Sequence, residues 1–581
     1  MSAAVSWLRR WWPALAILVL AGALRTPWLT ADPPTATSVG IVWHDEGAWT
    51  HNARNQALWG VWRTDEWNPL FIAPVFTALE WLAFEAAGVG LWQARLVPLL
   101  SGFIAIAALM VGLSGLTGRR SALLGGLLLA TSYTFVMWNR AALMESTMTM
   151  FMVVSWAAYA RSQARPTLGI LAGIAATLAF FTKAAAAFFV AALVVESAIA
   201  WWTTRNDASR RWWHPFAPVV GLAVAGIAAL AVFVLPHWTE FQFYNWVMTV
   251  ERKPVYTVAA LVERASWLPV VHGTFTRMWP VLVLASLSAL AVTAQWRTAP
   301  PAARLLVLWV LIGLVELIVH SSGEERRYVM FIPAIAALAG LKIDRSKDRQ
   351  IERSTDRKID RSTDEIDRSA VVAVGLLLGF LVCGSLLRLV WADAVAAQDY
   401  RMTVRTAALL AAVVGAWVWW RHRPSGPGVP SVPGAALLLA VAVTVGADLW
   451  LYRGWVQTRT FFNVEASRLM GRLLPPDTLV HGKLANGLAL ENRIHPLFVG
   501  RGFGNYTDRL SRDDARYILT YTQPRLGYEG PVILDVLRDY PQQRVLAEFE
   551  VFEETTLTPG PDRAALIDKF PDGPDPRARH Q

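Results

Sequence analysis

The chain reads as a polytopic α-helical membrane protein with a small α/β region at its C-terminal end. Three observations predict this. Of 581 residues, 54% are hydrophobic and 17% charged, with mean hydropathy +0.36, and the apolar residues come in blocks close to the ~20 that a bilayer crossing requires. Basic residues fall on alternate links between those blocks. From about residue 455 the composition turns polar and short strand patterns replace the long apolar runs.

About thirteen candidate spans follow from the apolar blocks, with cores near 13–30, 96–117, 121–138, 146–160, 167–182, 184–202, 215–236, 278–295, 304–320, 328–341, 370–391, 403–420 and 433–452. Arg9 and Arg10 precede the first, whose pattern imitates a signal peptide. No small-residue cleavage site stands out, so it reads as a retained span. Tryptophans crowd the block ends, as at Trp11, Trp12, Trp201, Trp202, Trp212, Trp213, Trp419 and Trp420, where indole prefers the headgroup region. Cys383 is the sole cysteine, which excludes a disulfide or a cysteine metal site within one chain.

Arg119, Arg120, Arg161, Arg165, Arg205, Arg210, Arg211, Arg297, Arg304, Lys342, Arg421 and Arg423 all fall on the side of Arg9 and Arg10. This is the positive-inside asymmetry, and it predicts a cytoplasmic N-terminus. The net charge of +10 therefore belongs mostly to links between spans and is no nucleic-acid signal. The opposite side then holds the 31–94 loop, the 139–145 turn, Lys183, the 237–277 loop, the 320–328 turn and everything after 453.

Within the first outer loop, 70–87 is apolar and aromatic, and reads as a re-entrant or surface-lying helix. The inner run 343–369 repeats Ile-Asp/Glu-Arg-Ser and reads as an inserted exposed helix or disordered linker. Beyond 455, an amphipathic helix is expected over 461–474 and strands over 478–481, 516–520, 532–534 and 544–552. These make 455–558 a small soluble domain beside the 1–454 membrane domain. Residues 559–581 read as a disordered tail. Asn505-Tyr506-Thr507 matches a glycosylation acceptor by accident of a short motif.

The candidate chemistry sits on the outer side. Asp45 and Glu46 lie in Trp43-His44-Asp45-Glu46-Gly47-Ala48-Trp49. Carboxylates near a membrane are costly unless they face water, a partner or a substrate, and one beside another in a partly dry cleft is suited to act as a base. Taken alone, the pair also fits a solvated loop start. Arg140 and Glu145 flank the mouth of the fourth span; Glu145 there also suits a helix dipole. Lys183 stands between Phe180-Phe181 and a run of alanines, as a lysine paired with an anion or one snorkelling to the interface. Arg326, Arg327 and Tyr328 open the tenth span. Paired arginines suit phosphate oxygens, or else pair with Glu324 and Glu325. Together they outline an anion-binding wall beside a carboxylate pair, which a lipid phosphate carrying a transferable group would satisfy.

In this order the motifs resemble those of the membrane glycosyltransferases of GT-C type that use polyprenyl-phosphate sugars, the dolichyl-phosphate-mannose protein mannosyltransferases and aminoarabinose transferases. The resemblance covers 1 to roughly 450. Asp45-Glu46-Gly47 looks like the family's first-loop motif. Asn68-Pro69-Leu70 stands where Lys-Pro-Pro-Leu is usual, and Arg95-Leu96-Val97-Pro98 resembles Arg-Leu-Pro-Ser. Arg140 to Glu145 resembles an Arg-x-x-x-x-Asp turn, Thr182-Lys183 a Thr-Lys-Gly, and Arg327-Tyr328 with Phe331-Ile332-Pro333 a Lys/Arg-Tyr…Leu-Pro segment. Asn68, Glu145 and Ala184 depart from the pattern.

The resemblance implies transfer of a sugar from a polyprenyl phosphate to an acceptor hydroxyl at the outer face, with inversion. Asp45 would be the general base. Arg140, Lys183, Arg326, Arg327 and Tyr328 would bind the donor phosphate. Glu46 and Glu145 would position the acceptor or hold a divalent metal ion. The acceptor (protein, lipid or glycan) stays open. A transporter or flippase is the rival class, although its charges would sit near mid-membrane. A lipid-linked oligosaccharide ligase or polymerase is nearer, and a non-enzymatic scaffold would not need Asp45.

Overall fold

In this computed structural model of the protein the described residues are 3–34, 43–205, 214–251, 257–268, 273–320, 325–341, 361–391, 400–421, 434–498, 516–522, 537–538, 540–551 and 562–572. Glu324, most of the 343–369 insert, the 505–507 motif and the expected strand 532–534 lie outside them.

Each expected span falls on a helix or a broken pair of helices. They are α1 (Ala3–Arg25), α4 (Leu96–Leu116), α5 (Arg119–Thr131, continued by Tyr133–Trp138), α6 (Met144–Ser162), α7 (Thr167–Thr182), α8 (Ala187–Thr204) and α9 (Ala217–Ala229). After these come α10 (Trp279–Ala294), α11 (Pro301–His320), α12 (Ile332–Gly340, entered through a 3-10 turn Glu325–Phe331), α13 (Arg361–Val390), α14 (Tyr400–Arg421) and α15 (Gly434–Thr458). Apolar surroundings leave a backbone no partner but itself, so long apolar runs must be helical. Among the described residues, seven helices are long and apolar enough to cross a membrane by length and composition, and three shorter apolar ones accompany them. Helices α4 and α11 are central, whereas α9, α14 and α15 bury little. Val19, Val232, Leu409, Leu438 and Trp202 stand exposed, an outward apolar surface that only lipid would solvate.

The first long loop is folded. It carries α2 (Asp45–Trp59), a 3-10 turn at Pro69–Phe71 and α3 (Pro74–Ala87). At 14 residues α3 is about 21 Å long, too short for the ~30 Å hydrocarbon core. It packs between α2 and α7.

Beyond α15 come α16 (Phe462–Leu473), α17 (Lys483–Gly487) and a five-stranded sheet of order β2-β1-β3-β5-β4. The strands are β1 (Leu479–His481), β2 (His495–Leu497), β3 (Tyr517–Tyr521), β4 (Arg544–Val551) and β5 (Asp562–Asp568). β1 pairs parallel with β2 and β3, and β5 pairs antiparallel with β3 and β4. The expected disordered tail is corrected here, because β5 lies within 559–581. Ala564 and Leu566 enter the core shared with α16 and α17, while Ala565 and Ile567 pack on Ile518 and Leu537 across the sheet. A strand buried on both faces has no alternation to read, and proline-rich flanks hid this one.

Candidate active site

Asp45 and Glu46 occupy the first turn of α2, where acids complement the helix dipole. Successive helical residues point about 100° apart, so the two carboxylates face different surroundings. Glu46 is buried. Its oxygens accept Arg95 Nε at 2.7 Å and Arg95 Nη2 at 2.6 Å, and Oε1 also accepts the Ala142 amide at 2.7 Å. Arg95 Nη1 donates to Leu29 O and Ala31 O, both at 2.6 Å. One ion pair thus gathers the end of α1, the start of α2, the entry to α4 and the turn before α6. Glu46, expected to position the acceptor or a metal, serves here as a fastening, since both its oxygens are engaged in the bidentate pair with Arg95.

Asp45 is half-buried and meets a different partner. Its Oδ2 lies 3.2 Å from Arg326 Nη1, and His44 Nε2 stands 3.6 Å from its Oδ1. Nearby, Lys183 Nζ pairs with Glu145 Oε1. Lys183 sits in extended backbone between α7 and a 3-10 turn, which aims its side chain back toward the first turn of α6. Burial lowers the Lys183 pKa, Glu145 raises it, and the neighbouring charges of Arg326 and Arg327 lower it further. The three cations therefore feel one another. Arg327 pairs with Glu316 at 3.1 Å. Glu145 Oε2 is buried without a hydrogen-bond partner. Four segments far apart in sequence thus bring Asp45, Glu145, Lys183 and Arg326 into one cluster, with Arg327 at its edge.

Two residues expected on this wall are elsewhere. Arg140 donates to Arg25 O at 2.5 Å and Trp28 O at 2.6 Å and lies 4.5 Å from the Trp455 ring centre. Burial, then Arg95, lowers its pKa to about 9. It caps the carbonyls at the end of α1, a demand that the spacing from Glu145 does not reveal. Tyr328 is fully buried against Phe275, because the 3-10 turn rotates it inward from Arg326. Glu325 pairs with Arg277 at 2.7 Å, not with the arginines that follow it. Asn68 accepts from Asn52 at 2.9 Å, and its amide donates to the Tyr244 hydroxyl at 3.0 Å.

The donor set does not fit a divalent ion as it stands. Both oxygens of Glu46 are engaged by Arg95 and one also by Ala142, Glu145 offers one spare oxygen, and among the described residues no three His, Cys, Asp or Glu side chains converge.

Sequence reasoning quoted Arg95 as a motif without a role, and passed over Arg54. The latter is buried in α2 and donates to Ala489 O, Asn492 O and Ile494 O at 3.0, 2.9 and 3.0 Å. Its signal was a cation in a helix rich in buried polar residues.

Residues 71–239 match the model of the dolichyl-phosphate-mannose-protein mannosyltransferase family. That stretch includes Arg95, Glu145 and Lys183 and begins after Asp45. The chain's fold is similar to that of ArnT from Cupriavidus metallidurans in the apo state, with TM-score 0.56 and 17% identity over 99% of this chain and 100% of that one. The same enzyme bound to undecaprenyl phosphate gives 0.56 and 18% over 98% and 100%. No curated protein matches the chain. The resemblance to GT-C membrane glycosyltransferases drawn from the motifs is thus met twice, by a family model and by a fold.

Proposed function

We propose that this protein is a membrane glycosyltransferase that moves a sugar from a polyprenyl phosphate to an acceptor hydroxyl at the outer face of the cytoplasmic membrane. The observation that carries the reading is the Asp45–Arg326 pair standing beside Lys183 and Glu145. A carboxylate able to take a proton there adjoins cations able to hold a phosphate. The solved likeness bound to undecaprenyl phosphate supports a lipid-phosphate donor, and the one-sided arginines support an outer site.

The acceptor hydroxyl gives its proton to the Asp45 carboxylate as its oxygen attacks the anomeric carbon. The bond from that carbon to the phosphate oxygen breaks on the opposite face, so the configuration inverts. The electron pair leaves with the lipid phosphate, whose growing charge falls to Lys183 and Arg326. With no donor, both cations rest on carboxylates. The arriving phosphate replaces Asp45 on Arg326 and releases it as a base.

The test is incubation of the purified protein with a panel of polyprenyl-phosphate sugars and candidate acceptors, following release of free lipid phosphate. Release with at least one sugar is expected. No release with any of them, together with movement of the lipid across a bilayer, would replace the enzyme with a flippase.

A further inference from the structure

We propose that the C-terminal α/β layer is part of the catalytic machinery, with Gly487 and Arg54 as positioning residues that hold the first turn of α2, and so Asp45, in place. This rests on the reading of Asp45 as the base.

Helix α17 lies directly on the start of α2. A Cβ built on Gly47 would fall 1.8 Å from the Asn486 carbonyl oxygen, and one on Gly487 would fall 2.8 Å from both Cα and Cβ of His44 and 2.6 Å from the Trp43 ring. The absence of a side chain at Gly47 and at Gly487 is what lets the two segments approach this closely. His44 is the residue before Asp45, and its ring reaches within 3.6 Å of the Asp45 carboxylate. The C-terminal layer thus ends one residue away from the base.

Polar anchors make the contact rigid. Arg54, about two and a half turns along α2 from Asp45, gives three hydrogen bonds to carbonyls of the layer. Burial lowers its pKa to about 9. The Phe498 amide donates to Asp65 at 2.7 Å, the Leu91 amide to Glu491 at 2.9 Å, and the Phe462 amide to Asp32 at 2.7 Å.

Helix α2 needs such anchors. Buried polar groups are stable only with partners; Thr50, His51, Asn52 and Asn55 find theirs within residues 46–70, whereas Arg54 gives its hydrogen bonds to the layer. Apolar packing alone does not fix its position. The phosphate-binding half of the site, Lys183 and Arg326, comes from turns of the helical bundle. A disturbance of the layer should therefore strike the base and spare the phosphate.

The experiment compares the full-length parent with Gly487→Ala and Arg54→Lys. It reads kcat from lipid-phosphate release and Kd for undecaprenyl phosphate. Gly487→Ala should lower kcat by about tenfold or more, because sub-ångström to ångström misplacement of a reacting group is that costly. Its Kd should weaken by no more than about twofold, since loss of the contact leaves the cations in place. Arg54→Lys should move the same way and less far, and it decides the matter if Gly487→Ala does not fold. Unchanged kcat in the folded variants would overturn the proposal, as would a Kd that weakens in step with kcat. A parent inactive with every donor would instead remove the glycosyltransferase reading.

Discussion

Glu46 and Arg95 form a buried, bidentate pair, 4% and 1% exposed. Removing one partner leaves the other charge uncompensated, at a cost of about 3–5 kcal/mol. Glu46→Gln should therefore lower the melting temperature clearly, measured by thermal unfolding in detergent. An unaltered melting temperature with activity lost would move Glu46 from architecture to chemistry. Lys183 behaves differently. Burial already lowers its pKa, and Glu145 is the group that pulls it back up. In Glu145→Gln that support is gone, so Lys183 loses its proton at lower pH. The alkaline limb of undecaprenyl-phosphate binding should shift to lower pH when Kd is followed across a pH series. A limb that stays where it is in the parent would detach Lys183 from the phosphate.

Among the elements, those with strong period or length were legible in the sequence. The apolar blocks became helices, and 461–474, 478–481, 516–520 and 544–552 became α16, β1, β3 and β4 within a residue or two. The reading of 70–87 as a re-entrant or surface-lying helix agrees with α3, which at 14 residues falls short of the hydrocarbon thickness. What failed has a common cause. β2 is three residues with a proline inside, and β5 is buried on both faces, so neither alternates. In the site, spacing placed charges on one side of the membrane and said nothing of which way a turn rotates them. Asp45 and Arg326 met, while Glu46 turned to Arg95, Arg140 to backbone carbonyls and Tyr328 to the core. β5 gives the prediction at this scale. It joins β3 to β4 and supplies Leu566 to the core. Truncation after residue 558 should make β3 and β4, 517–521 and 544–551, protease-sensitive, read by limited proteolysis and mass spectrometry. Undiminished resistance would show that the sheet does not need it.

At the scale of the whole molecule, one feature organises the rest. Arginines alternate in the sequence, and the charged cluster is assembled from the first loop, the start of α6, the turn after α7 and the turn before α12. If the arginine side is cytoplasmic, Glu85 on exposed α3 and Arg119 at the start of α5 lie on opposite faces. The single native cysteine makes this testable in a Cys383→Ser background. Glu85→Cys should react with an impermeant thiol reagent added to whole cells, and Arg119→Cys only after permeabilisation. The reverse pattern would turn the site inward. The most direct measurement bears on the cluster itself, with Asp45→Asn assayed for both lipid-phosphate release and undecaprenyl-phosphate binding. Sugar transfer should be lost. Binding should tighten roughly two- to fivefold, because a half-exposed pair worth up to about 1 kcal/mol no longer competes for Arg326. An Asp45→Asn protein that releases lipid phosphate at the parental rate would contradict the account.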